Sequence, residues 1–169
     1  SNSDDTNYLL NALNSKSSVI DIGHAGTAMR FLTSYFSLTT EKEIELRGSE
    51  RMHNRPIKIL VDSLTEIGAS ISYLEKDGFP PILIKPSKLF SKNLIINSST
   101  SSQYISSLLL VAPMISGGLK IILKGRETSK PYIDLTIFLL KKIGVEIISS
   151  VNSIYVSELK KIDSKKITI

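Results

Sequence analysis

The sequence has no cysteine and only two histidines, His24 and His53. Without cysteine there are no disulfides, no thiolate catalysis and no zinc sites built on cysteine. Two histidines make a His-rich metal site unexpected as well. We therefore expect a protein that works with no metal and no cofactor.

Long apolar runs are also missing. No stretch approaches the roughly 18–20 residues that cross a bilayer, and no signal peptide is recognisable. We expect a cytoplasmic protein without a membrane partner. Aromatic residues make up 7% of the chain and do not alternate with basic residues, so nucleic-acid binding is only a weak second hypothesis.

The 169 residues are 41% hydrophobic and 22% charged, which is typical of a globular protein. The net charge is +5, and this favours anionic partners without identifying them. The most informative stretch is 97–104, rich in Ser and Thr, which lies between a strand-like run and a helical run. Helix starts favour anions such as phosphate; alternatively, Ser101 or Ser102 simply caps the helix.

Glycine and proline positions divide the chain into helices and strands. We predict a turn at Gly26 and Thr27 before a helix over 28–38. We predict a polar loop over 48–55 and place Pro56 at the first position of the next helix. Ser129 is predicted to open a later helix, and the alternative to a site role is that it serves only as the N-cap of that helix.

Four markers recur at offsets of 75–77 residues. The pairs are Gly26 and Ser101, Gly48 and Gly125, Pro56 and Pro131, and Gly68 and Gly144. This indicates an internal repeat of β-α-β-α-β-β units. The predicted fold class is α+β, with helices packed on mixed four-stranded sheets. Unit A covers about 17–86 and unit B about 93–158.

The two ends of the sequence read as parts of further units. The first helix resembles the second helix of a preceding unit, and the last residues resemble the first strand of a following one. We therefore expect one truncated domain over 3–169, with residues 1–2 as a vector-derived remnant.

The repeat places equivalent loops at one end of the sheets. Arginine offers a planar fork for phosphate or carboxylate, and hydroxyls and amides add neutral donors. The predicted anion-binding loops, without metal or nucleophile, hold Gly26, Thr27, Arg55, Ser101, Ser102, Gln103, Ser129, Lys130 and Tyr132.

Four motifs resemble those of 5-enolpyruvylshikimate-3-phosphate synthases. Residues 23–30, Gly-His-Ala-Gly-Thr-Ala-Met-Arg, are similar to that family's Gly-Asn-Ala-Gly-Thr-Ala-Met-Arg signature. Residues 51–57 resemble its Arg-Met-x-x-Arg-Pro-Ile loop, and 101–104 and 129–134 match two more motifs. The motifs keep the family's order and spacing over nearly all of residues 4–169.

The resemblance implies an enzyme that transfers the enolpyruvyl group of phosphoenolpyruvate to the 5-hydroxyl of shikimate 3-phosphate. It implies two domains of three units each, of which about two units of one domain are present here. The implied contacts to shikimate 3-phosphate are Ser101, Ser102, Gln103, Ser129 and Tyr132. Those to phosphoenolpyruvate are Gly26, Arg55 and Gln103, with Thr27 and Arg30 in supporting positions.

Several departures from the family pattern matter. His24 replaces the usual Asn and Phe31 the usual Pro, which leaves sensitivity to analogues such as glyphosate open. The family's Lys-Ser-x-x-x-Arg motif is absent, as is the second domain with its Asp and Glu for proton transfer. We therefore predict no catalytic residue in this chain and no turnover by it alone, with the missing domain as its partner. His24 and His53 are expected to be exposed loop residues.

Two other enzyme families and a non-catalytic binding module are alternatives for the same residues. UDP-N-acetylglucosamine enolpyruvyl transferases share the fold but use a loop cysteine, which is absent here. RNA 3′-phosphate cyclases, built on similar units, would require a catalytic histidine and nucleotide contacts. A non-catalytic phosphate-binding module would have no affinity for shikimate 3-phosphate.

Overall fold

The computed structural model describes residues 3–97, 99, 101–125 and 129–159. The chain divides into two compact units, Ser1–Leu89 and Phe90–Ile169. The elements of the first unit are α1 (Asp4–Asn14), β1 (Val19–Asp21), α2 (Gly26–Thr39), β2 (Ile44–Arg47), α3 (Glu50–His53), α4 (Lys58–Glu66), β3 (Ser70–Tyr73) and β4 (Ile82–Lys85). Those of the second unit are β5 (Asn93–Asn97), α5 (Ser102–Val111), a 3-10 turn (Ala112–Met114), β6 (Leu119–Lys124), α6 (Lys130–Lys142), β7 (Ile147–Ser150) and β8 (Ser153–Val156).

Each unit has one four-stranded sheet, and the two sheets have the same topology. The strand orders are β1-β2-β4-β3 and β5-β6-β8-β7. The first pair of each sheet is parallel and the other pairs are antiparallel. The predicted fold class, α+β with helices on mixed four-stranded sheets, is confirmed.

Alternating burial along the strands places one face of each sheet against helices. In β6, Leu119, Ile121 and Leu123 are buried while the lysines between and after them are exposed. Burial of one such side chain contributes about 1.5–3 kcal/mol. The largest fully buried side chains of the first unit are Ile22, Met29, Leu32, Leu46, Met52, Ile57, Leu60, Leu64, Ile67, Ile82 and Ile84.

The parallel pairs determine where the connecting loops meet. Asp21, the last residue of β1, is paired with Arg47, the last residue of β2. In the second sheet Asn97 is paired with Lys124 in the same way. Because parallel strands end at a common edge of the sheet, the segments after β1 and β2 start side by side, and so do those after β5 and β6.

The polar segment after β2 is more regular than predicted. Residues 50–53 form the short helix α3 within the predicted loop. The next helix begins at Lys58 rather than at Pro56, because Ile57 has a non-helical backbone and its N–H donates to the carbonyl of Gly78. The prediction that Pro56 opens this helix is therefore wrong.

Helix α2 also starts earlier than predicted. Gly26 and Thr27 are its first two residues rather than part of the preceding turn. Its N-cap is Ala25, which makes no side-chain cap hydrogen bond, so the usual polar start signal is missing. In contrast, Gly68 and Gly144 end α4 and α6 as predicted, with φ of 106° and 95°, a conformation that glycine adopts without a Cβ penalty.

A buried polar contact joins the two helices of the second unit. Thr136 Oγ1 on α6 is hydrogen-bonded at 3.0 Å to Ser106 Oγ on α5 and lies 2.9 Å from the carbonyl of Tyr132. Ser106 and Thr136 are 3% and 9% exposed. The contact therefore fixes α6 relative to α5. In the described part of the chain no helix is long and apolar enough to span a membrane.

We expect Thr136→Val to lower the free energy of unfolding by about 1–2 kcal/mol, since it leaves the buried Ser106 hydroxyl without this partner. Ser106→Ala should cost less, because Thr136 keeps the Tyr132 carbonyl, and the double variant should lose less than the sum of the two. Urea unfolding measures all three. Thr65→Val, at an exposed position of α4, is the control; additive losses would contradict the coupling.

Candidate functional site

The first cluster of predicted site residues lies where β1 and β2 end. Gly26, Thr27 and Arg30 belong to the first turns of α2, which follows β1. Arg55 lies between α3 and α4, in the segment that follows β2. We call these four residues the arginine cluster. The N-terminus of α2 has no side-chain cap, and the positive end of a helix dipole attracts anions.

The guanidinium of Arg55 packs directly against the backbone of Gly26. A Cβ built on Gly26 would overlap Arg55 Nη1 and would lie 2.6 Å from both Cζ and Nη2. Any side chain at position 26 would therefore displace the guanidinium. The absence of a Cβ is what brings a positive charge to the first turn of α2.

Arg30 connects α2 to the segment that carries Arg55. Its Nη1 donates to the carbonyl of Gly26 at 3.1 Å and lies 3.5 Å from the sulfur of Met52, and its Nη2 donates to the carbonyl of Pro56 at 2.8 Å. Arg30 is only 3% exposed. Arg30 thus bonds to Gly26, which contacts the Arg55 guanidinium, and to Pro56, which follows Arg55 in the chain. The supporting role of Arg30 in a substrate site stays a prediction.

A cleft of about 340 Å³ lies beside this cluster. It is lined by His24, Arg51, Met52 and Arg55. The predicted site included Arg55 but not Arg51 or Met52. The spacing of four residues between Arg51 and Arg55 is not a helical signal, because α3 ends at His53 and Arg55 lies beyond it.

The two histidines differ in their surroundings. His24 is exposed in the turn before α2, as predicted. His53 is half-buried and belongs to α3, and its Nδ1 lies 3.8 Å from Glu75 Oε2. The expectation that His53 is an exposed loop residue is therefore wrong, because α3 turns its ring towards the protein.

The second cluster, called here the serine cluster, lies where β5 and β6 end. It comprises Ser101, Ser102, Gln103, Ser129 and Tyr132. Ser101 is exposed and caps α5, with its Oγ accepting from the Gln103 N–H at 3.3 Å. Ser102 is 7% exposed. The cap predicted for Ser101 is thus present, and it leaves the hydroxyl proton of Ser101 available to an anion.

Ser129 does not cap α6 with its side chain. It has a left-handed backbone with φ of 56° and makes no side-chain cap hydrogen bond. Tyr132, one turn into the helix, is 67% exposed, and Lys130 forms an ion pair of 3.3 Å with Asp134. Ser129 thus occupies the N-cap position of α6, as the alternative interpretation predicted, but without the side-chain hydrogen bond of a cap.

Two groups outside both clusters have shifted pKa values. The carboxylates of Asp62 and Asp77 raise the pKa of Lys58. Burial is the main cause that raises the pKa of Tyr73, and the same two carboxylates raise it further. Neither residue was predicted to be in the site. Among the described residues there is also no group of three or more side chains that could hold a metal ion.

Comparison with known proteins links this arrangement to one family. The family model for EPSP synthase (3-phosphoshikimate 1-carboxyvinyltransferase) matches residues 6–169. A 3-phosphoshikimate 1-carboxyvinyltransferase of Bacteroides fragilis is 46% identical over 144 residues, covering 85% of this chain and 35% of the relative. One from Actinobacillus pleuropneumoniae serotype 3 is 46% identical over 128 residues, 75% of this chain and 30% of the relative.

The solved structures give the same fold. EPSP synthase from Acinetobacter baumannii superposes with a TM-score of 0.74 at 21% identity, covering 88% of this chain and 32% of that chain. The chain thus spans about a third of the length of the proteins that it matches.

Gly26→Ala should displace the Arg55 guanidinium, because the added methyl group occupies its place. The Arg55 Nε–Hε signal in an NMR spectrum should move. The free energy of unfolding should change by less than about 1 kcal/mol, because the displaced group is the far end of a flexible side chain and alanine is favoured over glycine within a helix. Thr39→Ala, at the far end of α2, is the control. An unmoved Arg55 signal in the Gly26 variant would contradict the close contact.

Arg30→Lys should destabilise the fold by about 2 kcal/mol, since an ammonium cannot reach the Gly26 and Pro56 carbonyls in the geometry of the planar guanidinium. The matched control is Arg47→Lys on β2, an exposed position where we expect a change within about 0.5 kcal/mol. Urea unfolding compares the two. Equal losses would show that the buried connection contributes little.

Proposed function

Because the chain belongs to the EPSP synthase family, we propose that it is part of an enzyme that joins phosphoenolpyruvate to shikimate 3-phosphate. The enolpyruvyl group would pass to the 5-hydroxyl of shikimate 3-phosphate, and inorganic phosphate would leave. The single observation that best supports this is the Arg55 guanidinium lying against the first residue of α2, since it pairs a planar cation with a helix N-terminus. We also propose a cytoplasmic location, with no membrane or nucleic-acid partner.

In this proposal the arginine cluster binds phosphoenolpyruvate. Arg55 offers two parallel N–H donors to a phosphate or carboxylate, and the first turn of α2 offers backbone N–H groups. Gly26 keeps both accessible by lacking a side chain. Such donors hold the anion in position and stabilise the charge that develops on the departing phosphate.

The serine cluster is proposed to bind shikimate 3-phosphate. Ser101, Ser102 and Ser129 supply hydroxyls, Gln103 supplies an amide, and Tyr132 supplies an exposed ring and phenol. Neutral donors of this kind suit a ligand that combines a phosphate with several hydroxyls. Their position at two adjacent helix starts within the unit allows several of them to act on one ligand.

We assign no general acid or base to this chain. Enolpyruvyl transfer requires proton donation to one carbon and proton removal from one hydroxyl, whereas the two clusters supply arginines, hydroxyls and an amide. We propose that the chain binds substrate but does not turn over by itself, and that the remaining two thirds found in its relatives supplies the proton-transfer groups.

We also propose that glyphosate binds at the phosphoenolpyruvate site, with His24 and Phe31 setting its affinity.

Titration of the chain with shikimate 3-phosphate, followed by calorimetry and amide NMR, tests the assignment. We expect shifts at Ser101, Ser102, Gln103, Ser129 and Tyr132. Ser102→Ala should weaken binding about 10- to 100-fold, the loss expected for one hydrogen bond to a charged group. Ser72→Ala, an exposed serine on β3, should leave binding unchanged.

Two results would contradict the proposal. Absence of binding at millimolar shikimate 3-phosphate would argue against the serine cluster as a preorganised site. Phosphate release from phosphoenolpyruvate and shikimate 3-phosphate by the chain alone would show that it contains its own acid and base.

A further inference from the structure

We propose that His24 makes anion binding in the cleft beside Arg55 proton-linked, with its imidazolium pairing either with Asp4 or with the bound anion. The inference concerns the regulation of the same site and rests on the proposed function only for the identity of the natural ligand, a phosphate ester that also carries a carboxylate. The cleft itself is a feature of the structure.

Among the described residues four side chains line the cleft, and three of them can be positively charged. These are His24, Arg51 and Arg55, and the fourth is Met52. Arginine is always protonated in proteins. Among these four side chains only His24 can change its charge between about pH 5 and pH 8. The number of positive charges facing a bound anion therefore depends on the protonation of His24.

Besides the arginines of the cleft, α1 presents charged and titratable groups to His24, and Asp21 of β1 lies three residues before it in the chain. His24 Nε2 lies 3.9 Å from Asp4 Oδ2, and the Tyr8 ring lies edge-on to the imidazole with centroids 6.0 Å apart. Asp21, at the end of β1, accepts a hydrogen bond of 2.7 Å from the Gly23 N–H. Asp4 is thus the acidic partner that α1 presents to the imidazole.

The pair with Asp4 is easily exchanged. The two side chains are 60% and 74% exposed, and pairs this open to solvent contribute little. An anion with two charges, held between Arg51 and Arg55, attracts the imidazolium more strongly than a single solvated carboxylate does. Binding of the anion therefore favours the protonated ring, and uptake of the anion is coupled to uptake of a proton.

The coupling has a definite sign. If the anion prefers the imidazolium, its affinity increases as the pH falls through the range in which histidine is protonated, and it decreases as the pH rises. Replacing His24 by Asn keeps a polar side chain and removes the titration. The affinity should then be independent of pH and close to the value that the wild-type chain has at high pH.

Sulfate is the probe of choice, because it keeps two negative charges over this whole pH range whereas phosphate esters titrate within it. We would titrate the chain with sodium sulfate at about pH 5.5, 6.5 and 8 at constant ionic strength. The readouts are the NMR signals of the His24 ring and of Arg55 Nε. His24→Asn removes the proposed group, and His53→Asn is the matched control, because His53 does not line the cleft.

For the wild-type chain and for His53→Asn we expect the sulfate affinity to fall about 5- to 10-fold from pH 5.5 to pH 8, the effect of one charge-assisted hydrogen bond. Sulfate should also move the titration midpoint of the His24 ring to higher pH. His24→Asn should show no pH dependence, and Asp4→Asn should retain it, because the carboxylate only competes with the anion.

Three results would overturn the inference. They are a wild-type affinity that does not change with pH, a His24→Asn variant that behaves as the wild type does, and no sulfate binding at Arg55. The test is independent of the proposed reaction. If sulfate binds as expected but shikimate 3-phosphate does not bind, the proposed function fails and the proton linkage stands; the reverse outcome retains the function and rejects the linkage.

Discussion

The buried guanidinium of Arg30 is the interaction on which the arginine cluster depends. It bonds to the carbonyls of Gly26 and Pro56, so the start of α2 and the segment around Arg55 are fixed to one another. A buried charge is expensive unless hydrogen bonds compensate for its lost hydration. That cost is met at the position where the start of α2 is held against the segment that carries the half-buried Arg55.

Sheet topology supplies the second constraint. In both units the first two strands run parallel, and the loops that follow them begin at one edge. The two units carry different groups at this edge of the sheet. The first unit has arginines and a helix start without a side-chain cap, and the second has hydroxyls and an amide. The sheet topology thus places two loops side by side in each unit, whereas the side chains on those loops differ between the units.

The fold class could be predicted from the sequence because glycine and proline recur at a nearly constant offset, and because the apolar positions follow strand and helix periods. The first residues of the helices are harder to predict from the sequence. Helix α2 begins at Gly26, and the residue before it, Ala25, is not a capping residue. Pro56 lies outside α4 because Ile57 has a non-helical backbone and its N–H donates to the carbonyl of Gly78. Arg51 and Met52 were missed as cleft residues, since their position depends on the short helix α3. The assignment of substrates to the two clusters stays a prediction.

The left-handed backbone of Ser129 has a consequence for how this protein can evolve. A residue with a Cβ pays about 1–2 kcal/mol to hold a φ of 56°, and glycine does not. Glycine at this position would therefore make the chain more stable while removing the hydroxyl at the start of α6. Selection for thermal stability alone would favour that exchange, so at this position the backbone requirement and the proposed ligand contact oppose each other.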